Sequence, residues 1–364
     1  MKAAVLLEVG KPFEIREVQL DTPQPHEVVV KVKASGLCHS DLHTMKTDFG
    51  WPMPAVLGHE FAGIVESIGS EVTAVKVGDH VVGNLISACG DCPDCRGGRP
   101  TKCTNPGAIR RAQGDAPRLT MDGQAIAQIG DLGGFAEKAL VHERNLVVID
   151  DDIALDRAAL LGCAVITGAG ATKNAAKVRF GDTVAVIGCG GVGLNVVQGA
   201  AIAGARRVIA LDLQPAKLEL ARKFGATDVI NSGEEKDVVG RVREIVGKNG
   251  VDHAFEVIGL PQTVRQAIDL TDVGGSAYVI GKMKPGTGAE LTSDELLRGQ
   301  KSLHGVFMGS TIADVDIPLY ADLYRQGRLN LDDLVAETIS LEQINEGYTK
   351  LEKGETARSV IVFD

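Results

Sequence analysis

Residues 163–212 read CAVITGAGATKNAAKVRFGDTVAVIGCGGVGLNVVQGAAIAGARRVIALD. Within them lie an apolar β-branched run at 183–187, a glycine-rich turn at 188–193, a long apolar helical stretch, and a second apolar run from 207 that ends in Asp212. A G-x-G-x-x-G pattern is common by itself. A strand before it, a helix after it and an acidic residue about 20 positions on turn it into a dinucleotide fingerprint. Gly188 permits the tight turn, Gly190 lets the backbone approach a pyrophosphate, and Gly193 lets the helix pack close to the sheet. Gly191 and Val192 complete the turn where the helix begins, and its unpaired N–H groups with their partial positive charge suit phosphates. Asp212 can accept both ribose hydroxyls of an adenosine and would repel a 2′-phosphate, which predicts NAD rather than NADP. Cys189, inside the turn, reads as a small filler.

Downstream the alternation continues through helix QPAKLELARKFGA, strand DVINS, helix EKDVVGRVREIVGK, strand HAFEVIG, helix PQTVRQAIDL and strand SAYVIG. These strands are nearly continuous apolar runs, as expected where helices cover both faces of a parallel sheet. A last strand near LHGVFMG completes a predicted six-stranded sheet.

Upstream the pattern changes. The runs KAAVLLEV, EIREVQL, EVVVKVKASG, FAGIVESIG and VGDHVVG are short, alternating and separated by turn residues. They predict a β-rich, barrel-like domain with mostly antiparallel pairing.

Two spots in this β-rich part carry chemistry: Cys38-His-Ser40-Asp41-Leu-His43 and Gly58-His59-Glu60. A thiolate and an imidazole are typical zinc ligands, and alone they prove little. Cys163, after the apolar stretch ALDRAALLG, supplies a third donor. A Cys–His–Cys set leaves the fourth zinc position open, as a catalytic site requires. Residues 89–103, CGDCPDCRGGRPTKC, place Cys89, Cys92, Cys95 and Cys103 as C-x2-C-x2-C-x7-C. Four thiolates in so short a loop can close a tetrahedral zinc site with no open position, which is structural. A redox dithiol is disfavoured because no CxxC here opens a helix after a strand.

The chain of 364 residues is 44% hydrophobic with net charge −10, which fits two domains with ample core. Its acidity argues against nucleic acid or an anionic membrane as partner. No apolar run approaches the ~20 residues of a transmembrane helix. The opening MKAAVLLEVG is not a signal peptide, and the expected location is cytoplasmic. Seven cysteines in such a chain point to metal or catalysis before disulfides.

Together, the GHE motif at 58–60, the four-cysteine lobe, Cys163 and the GCGGVG…D block resemble the zinc-containing medium-chain alcohol dehydrogenases, across essentially the whole chain. The stretch 104–135 is similar to the longer loop of the liver-type and glutathione-dependent branch, and LLGCAVITG to that branch's third-ligand motif. The resemblance implies an α/β chain: a GroES-like β-barrel-type catalytic domain over 1–164, with a structural-zinc lobe at 87–104. A Rossmann domain with a six-stranded parallel sheet would follow over 165–307, and 308–364 would return to the catalytic domain, ending in strand RSVIVF.

The same resemblance implies roles residue by residue. Cys38, His59 and Cys163 would hold a catalytic zinc, and the four clustered cysteines a structural one. Ser40 would take the proton from the alcohol, and His43 would pass it towards solvent. Asp41 would hold the other nitrogen of His59, and Glu60 would lie beside the metal. His39 and Arg358 would lie near the pyrophosphate, Thr167 at the nicotinamide, and Lys217 at the adenosine ribose beside Asp212. The implied activity is NAD-linked, reversible oxidation of a primary or secondary alcohol to aldehyde or ketone, in a homodimer or homotetramer. The alternative is a thiol-dependent formaldehyde dehydrogenase acting on a glutathione or mycothiol adduct, with Arg110, Arg111 or Arg118 serving the thiol's carboxylate.

Overall fold

In the computed structural model, which describes residues 1–354 and 357–364, the chain divides into two compact units. The first comprises Met1–Cys163, Ile312–Gln326 and Leu331–Asp364; the second comprises Ala164–Thr311 and Gly327–Asn330. The second boundary falls after Thr311, a few residues beyond the expected 307. A short return of 327–330 to the second unit has no counterpart in the sequence pattern.

The first unit holds two sheets. One has seven strands built around Glu27–Gly36, which pairs antiparallel with Phe61–Ile68, Lys138–His142 and Ser359–Val362. The other has six, ordered Glu14–Glu17, Lys2–Leu6, Ala55–Val56, Gln124–Gln128, Leu119–Met121, Gln19–Leu20. The two sheets share one core: residues of Lys2–Leu6 and Glu27–Gly36, each strand buried over runs of successive residues and not on alternate ones, pack with Phe61, Val81, Leu119, Ile126, Phe135 and Ile361.

The 104–135 stretch runs largely as turns and irregular chain, with two short strands inside it. These form a hairpin, Leu119–Met121 with Gln124–Gln128, closed by Asp122 (φ 51°) and Gly123 (φ 75°). Both turn residues are left-handed, the signature of the two-residue hairpin that an Asp-Gly pair encodes.

In the second unit the strands are all parallel, in the order Asp228–Asn231, Arg207–Asp212, Thr183–Ile187, Val251–Glu256, Thr271–Val279, Ser302–Gly305. Every residue of Thr183–Ile187 is buried. Helices Gly191–Ile202, Pro215–Lys223, Val238–Val246 and Pro261–Leu270 connect the strands. Val242, Val246, Val264 and Ile268 from two of these helices pack with Ala185, Ile209 and Ala254 of the sheet into a core.

Candidate active site and cofactor turn

Three separate elements deliver the donors of the first cluster. Cys38 follows strand Glu27–Gly36 and is the N-cap of helix His39–Lys46. His59 precedes strand Phe61–Ile68, and Cys163 ends the 3₁₀ turn Ala159–Gly162. Gly58 has φ +93°, and a Cβ there would come within 2.6 Å of Phe135. Only glycine meets both demands, which fixes the bend that turns His59 inward.

One donor atom from each of Cys38, His59, Glu60 and Cys163 lies within 4.8 Å of the others, and all four residues are buried. The Asp41 Oδ1 atom stands 3.1 Å from His59 Nδ1, so the opposite ring nitrogen, Nε2, is the one left to face the thiols. Ser40 Oγ sits 3.2 Å from both Cys38 Sγ and His59 Nε2. A hydrogen bond from the Cys163 thiol, helped by Arg358 and His59, holds Cys38 well below the ordinary thiol range. Cys163 is pushed the other way by that same bond and by burial. Burial alone would lower His59, but the charges of Asp41 and Cys38 raise it well above its usual value.

Two sulfurs and an oriented imidazole form a donor set that suits zinc. Glu60 Oε2 is buried without a hydrogen-bond partner among the described residues. Such an orphan costs about 1–3 kcal/mol or more, a cost that a nearby cation removes. The residues fit a zinc ion. Burial pushes the Glu60 carboxyl up to about 7, against the pull of Arg358.

Arg358 joins the buried cluster. Its side chain is buried, donating from Nη2 to Glu60 Oε1 at 3.1 Å and from Nη1 to the Leu37 carbonyl at 3.4 Å. Its partners are thus the carboxylate beside the donor cluster and the backbone that leads to Cys38.

The second cluster, Cys89, Cys92, Cys95 and Cys103, meets the same 4.8 Å criterion, with only Cys89 buried. Backbone N–H groups already point at its sulfurs: Cys92 N to Cys89 Sγ at 3.3 Å, Cys95 N to Cys92 Sγ at 3.4 Å, Cys89 N to Cys103 Sγ at 3.3 Å. Donors aimed at sulfur favour the thiolate form that a metal needs. Four sulfurs with no fifth group describe a closed site.

In the second unit Gly188 has φ +99°, and a Cβ on Gly193 would meet the Gly188 carbonyl at 1.8 Å. A Cβ on Gly190 would meet nothing. The tight turn and close packing are thus required by the protein itself, while the open side at Gly190 leaves room for a pyrophosphate. Gly190 is also the N-cap of helix Gly191–Ile202 and gives it no side-chain cap, leaving the first N–H groups of the helix for a ligand. Asp212 ends its strand with Oδ2 accepting from Cys189 N at 2.8 Å and Oδ1 from Gln214 N at 3.0 Å. Burial and the Asp212 carboxylate push the Cys189 thiol up, in keeping with an inert filler. Thr167 is buried, with its hydroxyl 3.6 Å from Met308 Sδ; Lys217 is half-buried. On the first unit His39 is exposed and His43 half-buried.

The three arginines considered for a thiol's carboxylate are already engaged. Arg111 and Arg118 both reach the buried Glu27, at 2.7 Å each, and Arg110 pairs with Asp131 at 2.9 Å. Glu27, which organises this group, escaped the sequence reading. Its signal was a glutamate opening a strand that is otherwise apolar.

A dinucleotide turn and a metal-donor cluster in one chain define a metal-dependent dehydrogenase. Residues 24–151 match the alcohol dehydrogenase GroES-like domain and residues 191–323 the zinc-binding dehydrogenase domain. An NDMA-dependent alcohol dehydrogenase of Amycolatopsis methanolica is 39% identical over 368 residues, spanning 99% of this chain and 98% of that one. An S-(hydroxymethyl)glutathione dehydrogenase of Synechocystis is 38% identical over 370 residues, spanning 100% and 99%. The crystal structure of benzyl alcohol dehydrogenase from Acinetobacter calcoaceticus superposes with a TM-score of 0.94 at 35% identity, over 100% of this chain and 99% of that one. The chain belongs to the zinc-containing medium-chain alcohol dehydrogenase family and is an oxidoreductase using zinc and a nicotinamide dinucleotide. No helix among the described residues is long and apolar enough to cross a membrane.

Proposed function

We propose that this chain oxidises a primary or secondary alcohol reversibly with NAD and carries two zinc ions, one catalytic and one structural. The observation that carries the reading is the convergence of Cys38, His59 and Cys163 on one buried point beside Ser40. Zinc held there supplies Lewis acidity, which lowers the pKa of a substrate hydroxyl towards neutrality. The chain's own residues do the rest. Ser40 accepts the hydroxyl proton, and His43, three residues along the same helix, relays it to solvent. A nicotinamide dinucleotide held by the second unit would supply the hydride acceptor; the hydroxyl proton goes separately through Ser40 and His43, so the alcohol would lose one hydride and one proton in all. Asp41 fixes the His59 tautomer through Nδ1. Arg358 holds Glu60 in place, and we assign it that role in preference to the pyrophosphate.

For the cofactor, the glycine turn 188–193 takes the pyrophosphate, with His39 as a further contact. Asp212, braced by two backbone N–H groups, takes the adenosine ribose with Lys217 beside it, and Thr167 lies at the nicotinamide. The carboxylate at 212 selects NAD over NADP. Asp212→Gly should raise KM for NAD roughly tenfold and improve use of NADP. Steady-state kinetics with an unchanged NAD/NADP ratio would remove Asp212 from that role. Elemental analysis finding no zinc would overturn the mechanism. We further infer a cytoplasmic homodimer or homotetramer.

A second reading, oxidation of a thiol–formaldehyde adduct, draws on the similarity to the Synechocystis enzyme. The engagement of Arg110, Arg111 and Arg118 with carboxylates weighs against it. Assays of formaldehyde with glutathione or mycothiol, beside a panel of free alcohols, separate the two by kcat/KM.

A further inference from the structure

Among the buried carboxylates that the mechanism does not use, Glu256 has the most unusual set of partners. It is the last residue of strand Val251–Glu256 and sits in register with Ile187, the last residue of Thr183–Ile187. Between these two strands the order of the parallel sheet reverses, since the strands after 187 run to one side and those from 251 to the other. In an open α/β sheet a ligand lies outside the carboxyl ends of the strands at that point.

Glu256 is fully buried. Its Oε1 accepts three hydrogen bonds: from Ile258 N at 2.8 Å, Gly259 N at 2.7 Å and Thr263 Oγ1 at 2.8 Å. Oε2 is buried with no partner among the described residues. The helix that follows, Pro261–Leu270, has Leu260 as its N-cap and no side-chain cap of its own. The glutamate therefore ties down the turn that a capping side chain would normally tie. That turn presents apolar residues outward, with Ile258 41% exposed and Leu260 42% exposed. Ile258 also reaches the phosphate turn: a Cβ on Gly188 would stand 2.7 Å from Ile258 Cγ1.

We propose that Glu256 is a positioning residue for the dinucleotide: its carboxylate locks the 257–263 turn so that Ile258 stands against Gly188. This rests on the reading of the second unit as the cofactor-binding one. The energy invested in burying a carboxylate goes into the rigidity of one wall of the cofactor site. Two amides and a hydroxyl held by one oxygen leave the turn a single conformation.

The test uses the full-length, zinc-loaded protein and NADH fluorescence titration. Glu256→Ala orphans the Ile258 and Gly259 amides, while the Thr263 hydroxyl keeps the Leu260 carbonyl at 2.9 Å, and should weaken NADH binding about tenfold or more, with a smaller change in kcat at saturating NAD. Zinc content should stay as in the wild type. Glu256→Gln keeps an acceptor for the three donors and should restore most of the affinity. Ile258→Ala should weaken binding as well, and the Glu256→Ala/Ile258→Ala double variant should be scarcely weaker than Glu256→Ala alone, because both act through one contact. Should Glu256→Ala not fold, Thr263→Val removes one tie and should give the same effect in smaller measure. Unchanged affinity in Glu256→Ala (or in Thr263→Val, where that stands in), or fully additive losses in the double variant, would overturn the proposal. A wild-type protein that binds no NADH would overturn the cofactor reading beneath it, a result that the unmutated chain alone reveals.

Discussion

The two cysteine clusters in the first unit use the same element for opposite ends. Cys89, Cys92, Cys95 and Cys103 lie within one short loop, mostly at half-exposed positions, with main-chain N–H groups supporting the sulfurs. Cys38 and Cys163 come from distant parts of the chain and are buried with an imidazole and a carboxylate. The loop has little core of its own, so a metal bound there would serve as core. The buried cluster already stands on packed strands and can leave a coordination position open. Sulfur count and burial together distinguish a staple from a reaction centre.

The sharpest way to break this comparison is to remove a sulfur from each side. Cys163→Ser should lower kcat/KM by about a thousandfold, the scale of several kcal/mol of lost Lewis acidity, while zinc falls from two per chain to one. Retention of both zincs with full activity would end the catalytic assignment. Asp41→Asn keeps every ligand but loosens the ring of His59, and should cost roughly 10–100-fold in metal affinity or activity. Chelator competition followed by activity assay reads both. Cys103→Ser should change kcat/KM at low temperature by less than about twofold, yet lower Tm by roughly 5–10 °C. A thermal scan in which the two cysteine variants melt alike would erase the distinction between the clusters.

How legible all this was from sequence depended on how far apart the partners lie. The glycine turn and Asp212 sit within thirty residues of each other, so strand, turn, helix and acid could be read in one pass. The four-cysteine lobe was readable for the same reason. Cys38, His59 and Cys163 come from separate stretches, and their meeting was expected mainly through family resemblance. The engagement of Arg358 with Glu60, 298 residues away, lay beyond any local pattern. In 104–135 the expectation of a loop came from the resemblance alone, while the Asp122-Gly123 pair encodes a hairpin locally. Glu256 was visible only as an acid inside the run HAFEVIG. Its importance depends on which strand stands beside it, and that is a property of topology.

The pairing of Ser359–Val362 with the strand that leads to Cys38 bears on how the enzyme is made. Leu37 N donates to the Ser359 carbonyl at 2.9 Å, and Arg358 reaches Cys38 Sγ from 320 residues downstream. During translation Cys38, the first of the candidate ligands, emerges early, and its supporting neighbours follow some 320 residues later. Ribosome-stalled chains ending near residue 340 lack those neighbours, so a metal at Cys38, His59 and Cys163 should be held less tightly in them than in the chain through residue 364, while metal binding by the cysteine loop should be unchanged.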